Sequence, residues 1–546
     1  MFRARPMAYF NQVRKRDGRL LPFDQSRITQ AVFKAMNAAG EGGDRDAQRV
    51  SDRVVKELAK KHPAAYVPGI EEIQDVVETT LILEDYAKTA KAYILYRQQR
   101  FELREKRKEI PEHVKELVAE SKKYFHSPLA EFIYYRSYSR WKDDEGRRET
   151  WVETVQRYLD FMKANLGDKL NPDEYDEVRQ AILKMEVMPS MRLMWSAGKA
   201  AAATNVSAYN CSFIAPSKLQ DFGEIMYLSM CGTGVGFSVE QQNVQQLPQI
   251  KKQTGKKLPP HVIEDSKEGW ANAFVLAVKT WFAGKDIDLD YSRLRSAGAR
   301  LKTMGGRSSG PAPLMALMDF TKRKVLARQG RRLSSLDTHD IICKIGEIVE
   351  MGGVRRSALL SLSDLDDPEM RAAKTGQFYL TEPQRHMANN SVAYNEKPTS
   401  AQFLDEWLAL AKAGTGERGI FNRAGLQKQV PERRWKVLAR DAATTGTNPC
   451  GEIILKSKQF CNLSEVVARP EDDQASLLRK VRIAAIIGTY QSTLTNFPYL
   501  SKEWKKNCEE ERLLGVSITG QWDCPVVHSP EVLRQLREKA VETNKV

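Results

Sequence analysis

Gly446-Thr447-Asn448-Pro449-Cys450-Gly451-Glu452-Ile453-Ile454-Leu455 is the stretch on which the reading of this chain turns. Proline and glycine on either side of Cys450 predict a tight loop with the thiol at its tip. Glu452, two residues on, is close enough to act with that thiol on one small substrate. The competing reading is a buried cysteine in a turn with a surface glutamate. On pattern alone that reading stands slightly ahead, because buried thiols are common.

Two more cysteines open strand-like runs, in Gln459-Phe-Cys461-Asn-Leu-Ser-Glu465 and in Ser207-Ala-Tyr-Asn210-Cys211-Ser-Phe-Ile214. Cys211 and Cys461 are far apart in sequence, so only the fold decides whether they meet. If they do, two thiols beside a reactive third are a two-electron reductant. Cys231, Cys343, Cys508 and Cys524 read as small apolar packing. His339 and His386 have no partner at metal-ligand spacing and read as core or surface residues, so no protein-held metal is expected.

The chain has 546 residues, 42% hydrophobic and 28% charged, the make-up of a globular protein with several domains. It has no run of about 18 apolar residues, so no membrane span is expected. The basic N-terminus lacks the apolar stretch of a secretory signal. The net charge of +15 raises the question of nucleic acid. The basic residues are scattered, however, and no nucleic-acid module is recognisable. A solvated basic surface or polyanionic nucleotide ligands are the better readings. Seven cysteines, an odd number without a CxxC pair, argue against a disulfide framework and a zinc ribbon. They fit a reduced, cytoplasmic compartment.

Along the chain, Val13-Arg-Lys15-Arg16-Asp-Gly-Arg19 predicts a basic hairpin turning at Asp-Gly. Asp24 is then a candidate cap for a helix carrying Ile28, Val32, Ala35 and Ala39, closed by Gly40. A second helix carries Val50, Val54 and Leu58. A third carries Ile73, Val76, Val77 and Leu81, with Tyr93 and Tyr96 later on. Residues 104–187 read as charged and helical. From Met188 short apolar strands alternate with helices and Gly-rich turns, as in Val354–Ser363 and Leu514–Gly520, which indicates an α/β architecture. The glycines of Cys231-Gly-Thr-Gly-Val-Gly236 match neither a P-loop nor GxGxxG and predict a structural turn.

Asn448-Pro-Cys-Gly-Glu452, Cys461-Asn-Leu-Ser-Glu465 and Asn210-Cys211 resemble the active-site motifs of ribonucleotide reductases. Cys231–Val239, the Gly-, Ser- and Arg-rich Gly298–Pro311, Gly352-Gly-Val-Arg-Arg-Ser357 and Ala388-Asn-Asn-Ser391 resemble the branch that uses adenosylcobalamin and reduces ribonucleoside triphosphates. The Lys15-Arg16-Asp17-Gly18 module resembles an ATP-cone, a regulatory nucleotide-binding domain. The resemblance implies an ATP-cone over 1–103, a helical domain over 104–187, and a ten-stranded α/β barrel over 188–546 that is incomplete at its C-terminal end.

It also implies roles. Cys450 would carry a thiyl radical and abstract the ribose 3′-hydrogen, and Glu452 would take the 3′-hydroxyl proton. Asn448 would hold the ribose hydroxyls, with Ser190 and Asn210 also binding substrate. Cys211 would protonate the departing 2′-hydroxyl and then form a disulfide with Cys461. Lys15, Arg16 and Arg27 would bind ATP or dATP. The loop Ala299–Gly310 would link a dNTP effector to the substrate base. Thioredoxin or a similar dithiol would restore the thiols, and a second polypeptide is expected to supply the missing barrel strands, phosphate loop and C-terminal cysteines. The short segment from Cys211 to Trp270 leaves a homodimer open. Two rival readings stand beside this one. The first is the large subunit of an iron-dependent ribonucleoside-diphosphate reductase, and the second is a non-catalytic nucleotide-binding fragment.

Overall fold

The computed structural model describes residues 10–15, 19–62, 66–106, 111–142, 144–169, 171–299, 301, 308–351 and 358–546. Backbone contacts divide the chain into two compact units, 1–116 and 117–546.

In the first unit, β1 (Gln12–Arg14) pairs antiparallel with β2 (Leu20–Pro22). Four helices follow: α1 (Ser26–Ala39), α2 (Asp44–Lys61), α3 (Ile70–Leu83) and α4 (Ala87–Lys106). The Asp24 carboxylate accepts the Ser26 amide at 3.0 Å, and α1 stops at Gly40, whose φ of 63° suits a residue without Cβ. Ile28, Val32 and Ala35 are buried as expected, but Met36 rather than Ala39 completes the inner face. Helical spacing explains this, because position 36 stacks directly on 32. Val50, Val54, Leu58, Ile73, Val76, Val77 and Leu81 close the same core. Tyr93 joins it, whereas Tyr96, also on α4, is 60% exposed.

The second unit opens with helices α5 (Trp151–Leu166) and α6 (Pro172–Leu183), then β3 (Val187–Pro189) and α7 (Met191–Ser196). Next come β4 (Cys211–Ile214), α8 (Leu219–Met230), β5 (Gly234–Ser238), α9 (Lys267–Phe282), α10 (Ala312–Ala327) and α11 (Ser335–Met351). The chain continues through β6 (Leu359–Ser363), β7 (Ala388–Ala393), α12 (Ser400–Ala413) and β8 (Gly419–Phe421). A hairpin, β9 (Gly446–Thr447) and β10 (Ile454–Leu455), precedes β11 (Gln459–Phe460) and β12 (Leu463–Val467). The last elements are α13 (Gln474–Ser492), α14 (Lys502–Glu511), β13 (Gly515–Thr519) and α15 (Pro530–Lys545).

The widest sheet has six strands in the order β8-β7-β6-β5-β4-β11, parallel except for β11. A three-stranded sheet runs β13-β12-β3. The described strands thus form sheets of six, three and two rather than one ring of ten, with β8 and β13 as outer strands. Residues 104–187 also do not form a core of their own. Tyr134, Trp151, Val155, Tyr158 and Ile182 pack in one apolar cluster with Val187, Phe222, Val235 and Phe274. The change at Met188 is one of secondary structure, and the hydrophobic core runs straight through it.

Candidate functional site

Cys450 stands at the tip of the β9–β10 hairpin, whose register sets Gly446 opposite Leu455 and Thr447 opposite Ile454. Asn448 closes the turn. Its Nδ2 donates to Glu452 Oε1 at 2.9 Å, and the Ile453 amide donates to its Oδ1 at 2.9 Å. The Gly451 amide donates to the Asn448 carbonyl at 3.0 Å, and Gly451 takes a φ of 88° to complete the bend. Asn448 is fully buried, while Cys450 is exposed. The tight loop with an accessible thiol is therefore present, and the buried-cysteine reading is excluded.

The hairpin lies across the six-stranded sheet because glycines clear its path. A Cβ on Gly236 would sit 1.9 Å from the Thr447 carbonyl oxygen, and one on Gly234 would sit 3.1 Å from Pro449. From the other side, a Cβ on Gly446 would meet the Phe213 ring at 2.1 Å. The Cys231–Val239 motif is thus structural, as a glycine-lined bed for the Cys450 loop.

Cys211 and Cys461 meet beneath that loop. They continue the β4–β11 ladder, in which Phe460 faces Ser212, and the Cys461 amide donates to the Cys211 carbonyl at 3.0 Å. Side-chain hydrogen bonds join Cys211 to Cys450, Cys461 and Asn448. The contact with Cys450 lowers the Cys211 pKa, but the contact with Cys461 and burial outweigh it. The thiol is held well above its usual range and stays protonated at neutral pH. All seven cysteines are thiols in this structure.

Ser190 and Asn210 line a cavity of about 550 Å³ whose wall includes Met188, Met191, Met194, Trp195, Ser464 and Glu465. Ser190 caps α7, accepting the Leu193 amide at 3.4 Å and donating to the Ala208 carbonyl at 3.2 Å. Asn210 Oδ1 accepts the Arg192 amide at 3.1 Å. In the first unit, the Lys15 amide donates to the Arg19 carbonyl at 2.8 Å, and exposed Arg27 pairs with Asp24 at 3.4 Å. Arg16, Gly352–Ser357 and most of the loop Ala299–Gly310 lie outside the described residues.

Among the described residues no group of three or more His, Cys, Asp or Glu could hold a metal ion, and no helix is long and apolar enough to cross a membrane. His386 is exposed. His339 is fully buried and donates from Nε2 to Asn390 Oδ1 at 2.9 Å, which gives the Ala388–Ser391 motif a packing role. Two cysteines read as plain packing have polar partners. Lys267 Nζ lies 3.3 Å from Cys231 Sγ, and Cys343 Sγ lies 3.6 Å from His339 Nε2. Both arrangements depend on tertiary contacts that leave no local signature.

Three family models match in order along the chain. They describe an ATP cone domain at residues 11–102, a ribonucleotide reductase alpha domain at 110–199, and a B12-dependent ribonucleotide reductase insertion domain at 240–325. An adenosylcobalamin-dependent ribonucleoside-triphosphate reductase from Lactobacillus leichmannii is 29% identical over 71% of this chain and 61% of its own length. One from Lacticaseibacillus paracasei is 29% identical over 76% of this chain and 64% of its own length. The chain therefore spans somewhat under two thirds of these relatives. A solved B-12 dependent (class II) ribonucleotide reductase superposes with a TM-score of 0.66 at 25% identity, over 79% of this chain and 72% of that one. With its ordered domain matches and its thiol pair set under the Cys450 loop, the chain belongs to the ribonucleotide reductase family.

Proposed function

We propose that this chain carries the catalytic thiols of an adenosylcobalamin-dependent ribonucleoside-triphosphate reductase, making deoxyribonucleotides in the cytoplasm. The observation that carries the reading is the convergence of Cys450, Cys211 and Cys461 beside Asn448 and Glu452. Cys450 is exposed at a loop tip, so a cofactor as bulky as a cobalamin can reach its thiol without entering the core. The cofactor, when bound, supplies the radical chemistry.

The chain's own residues account for the rest. Cys450 passes a hydrogen atom to and from the ribose, and Glu452 holds the proton of the neighbouring hydroxyl. Asn448, whose Nδ2 already orients Glu452, fixes the two groups in one plane of reach. Cys211 is kept protonated, which suits a group that gives a proton to a departing hydroxyl. Two electrons and the second proton come from Cys211 and Cys461, which end as a disulfide. An external dithiol of the thioredoxin type then restores them. The 550 Å³ cavity, with Ser190 and Asn210 at its edge and methionines and Trp195 along its wall, suits one end of a nucleotide.

The six- and three-stranded sheets are read as parts of the family's ten-stranded barrel, further strands adding at β8 and β13 from a second polypeptide or more of the same chain. The first unit is read as the site for ATP or dATP through Lys15, Arg16 and Arg27, and a homodimer is the favoured assembly. The test is anaerobic deoxynucleotide formation with adenosylcobalamin and a dithiol, using protein completed with the remaining barrel. Cys450→Ser should abolish product, because an O–H bond is much stronger than an S–H bond. Substantial product from that variant would overturn the assignment.

A further inference from the structure

The Cys450 hairpin has two feet, and each is gripped by an arginine to which the thiol chemistry gives no role. At the incoming foot, Arg423 forms a two-pronged ion pair with Glu240, 2.6 Å on each prong. Its Nε–H donates to the Thr445 carbonyl at 2.9 Å, one residue before β9. Both side chains are buried, Arg423 at 4% exposure and Glu240 at 0%. Glu240 is itself oriented by Ser238, whose hydroxyl donates to it at 2.8 Å, and Gln242 Nε2 adds a hold on the Ala443 carbonyl at 2.7 Å.

At the outgoing foot, Arg434 pairs with Glu511 at 3.0 Å and donates from its other nitrogen to the Ile454 carbonyl, inside β10. Glu511 also accepts the Gln459 side-chain amide at 2.7 Å, and Gln459 opens the strand that leads to Cys461. Each arginine therefore ties a hairpin carbonyl to a carboxylate on a different element. A planar guanidinium with five donors can serve a carboxylate and a carbonyl together, which a single ammonium cannot. Buried ion pairs are a poor source of stability for their desolvation cost, and specifying one geometry is their better-attested use.

We propose that Arg423–Glu240 and Arg434–Glu511 are positioning pairs for the Cys450 thiol. They fix the height of the loop tip over Cys211 and Cys461. The proposal rests on the reductase reading and adds residues that touch neither substrate nor cofactor.

Hydrogen exchange and thiol alkylation on the full chain test it without requiring turnover. In the wild type, the amides of 446–455 should exchange as slowly as those of β5, and complete exchange within seconds would overturn the proposal. Arg423→Lys and Arg434→Lys each keep the charge but lose one of the two acceptors. Each should raise both the exchange of 446–455 and the alkylation of Cys450 by iodoacetamide by about fivefold or more, while β4 and β5 stay protected. Alkylation and exchange unchanged within about twofold in the folded variants would overturn it, as would loosening spread evenly over the unit. Should one variant fail to fold, the other foot decides; should both fail, the wild-type exchange pattern decides. A completed wild-type protein that makes no deoxynucleotide would count against the function alone, because neither readout depends on catalysis.

Discussion

The Cys461 amide donates to the Cys211 carbonyl at 3.0 Å, so the two cysteines face each other on adjacent antiparallel strands. Hydrogen-bonded rungs of this kind set α-carbons about 5.5 Å apart, inside the span a disulfide bridges. Mild oxidation of the folded chain should therefore convert this pair to a disulfide ahead of any other. Peptide mapping by mass spectrometry without reductant will show a 211–461 crosslink, lost in either single serine variant. A dominant crosslink from Cys450 to either partner would mean that the loop tip, and not the strand pair, holds the reactive couple.

Gly236→Ala should disturb the hairpin far more than its single methyl suggests. The new Cβ would lie 1.9 Å from the Thr447 carbonyl, and backbone on both sides must move. Overpacking of this kind costs about 1–3 kcal/mol. Denaturant midpoints should fall accordingly, and Cys450 alkylation should change with them. A neutral substitution would place the hairpin elsewhere than on the β5 glycines.

Those glycines mark the limit of what the sequence conveys. The tight Cys450 loop was legible, because proline and glycine act on their immediate neighbours. So were the faces of the first three helices, since periodicity along one helix is local. The purpose of Gly234 and Gly236 was not legible, because the atoms they make room for belong to Thr447 and Pro449, which are remote in sequence. The meeting of Cys211 with Cys461 depends on β11 joining the outer edge of β4, a choice made by the whole sheet. The boundary at 116 was missed for a similar reason, as the helical stretch before Met188 buries its aromatic residues against strands that come later. Arg423 and Arg434 gave no signal at all; an isolated arginine reads the same whether it is solvated or buried on a carboxylate.

Stability should carry a signature of His339. Burial alone would lower its pKa, but Cys343 and Asp340 outweigh that and raise it from 6.5 to about 10. The proton is thus held more tightly in the folded chain than in the unfolded one. The resulting stabilisation is complete below pH 6.5 and is lost as pH climbs through about 10. A tenfold difference in proton affinity corresponds to about 1.4 kcal/mol, so the loss across this window amounts to a few kcal/mol at most. The wild type should lose more thermal stability than His339→Gln between neutral pH and the upper end of that window. Parallel curves for the two proteins would place His339 in its neutral form.

Nucleotide binding at the first unit is measurable on the full chain by calorimetry. ATP or dATP should give saturable heat, weakened several-fold by Lys15→Ala combined with Arg27→Ala, because each removes a cation from one hairpin–helix edge. Arg27 already spends part of its charge on Asp24, so Lys15 should account for more of the loss. No heat at millimolar nucleotide would remove the regulatory reading.

Asn448→Asp tests the closure of the active-site loop most sharply. Asn448 works in both directions, accepting the Ile453 amide on Oδ1 and donating from Nδ2 to Glu452. An aspartate keeps the first bond, but where the second bond had a donor it presents an oxygen to the Glu452 carboxylate. Two facing carboxylates in a buried turn cannot both ionise cheaply, so the pair must hold a proton that the unfolded chain would release. Their folded pKa values are then raised, and the associated stability is present at acid pH and lost as pH rises through them. The deficit of Asn448→Asp against the wild type should therefore grow from near zero around pH 4 to about 1–3 kcal/mol at neutral pH and above. Asn448→Ala loses both bonds and should be destabilised similarly at every pH. Urea midpoints across that range distinguish the two patterns. A pH-independent Asn448→Asp would mean that Glu452 does not face Asn448 in solution.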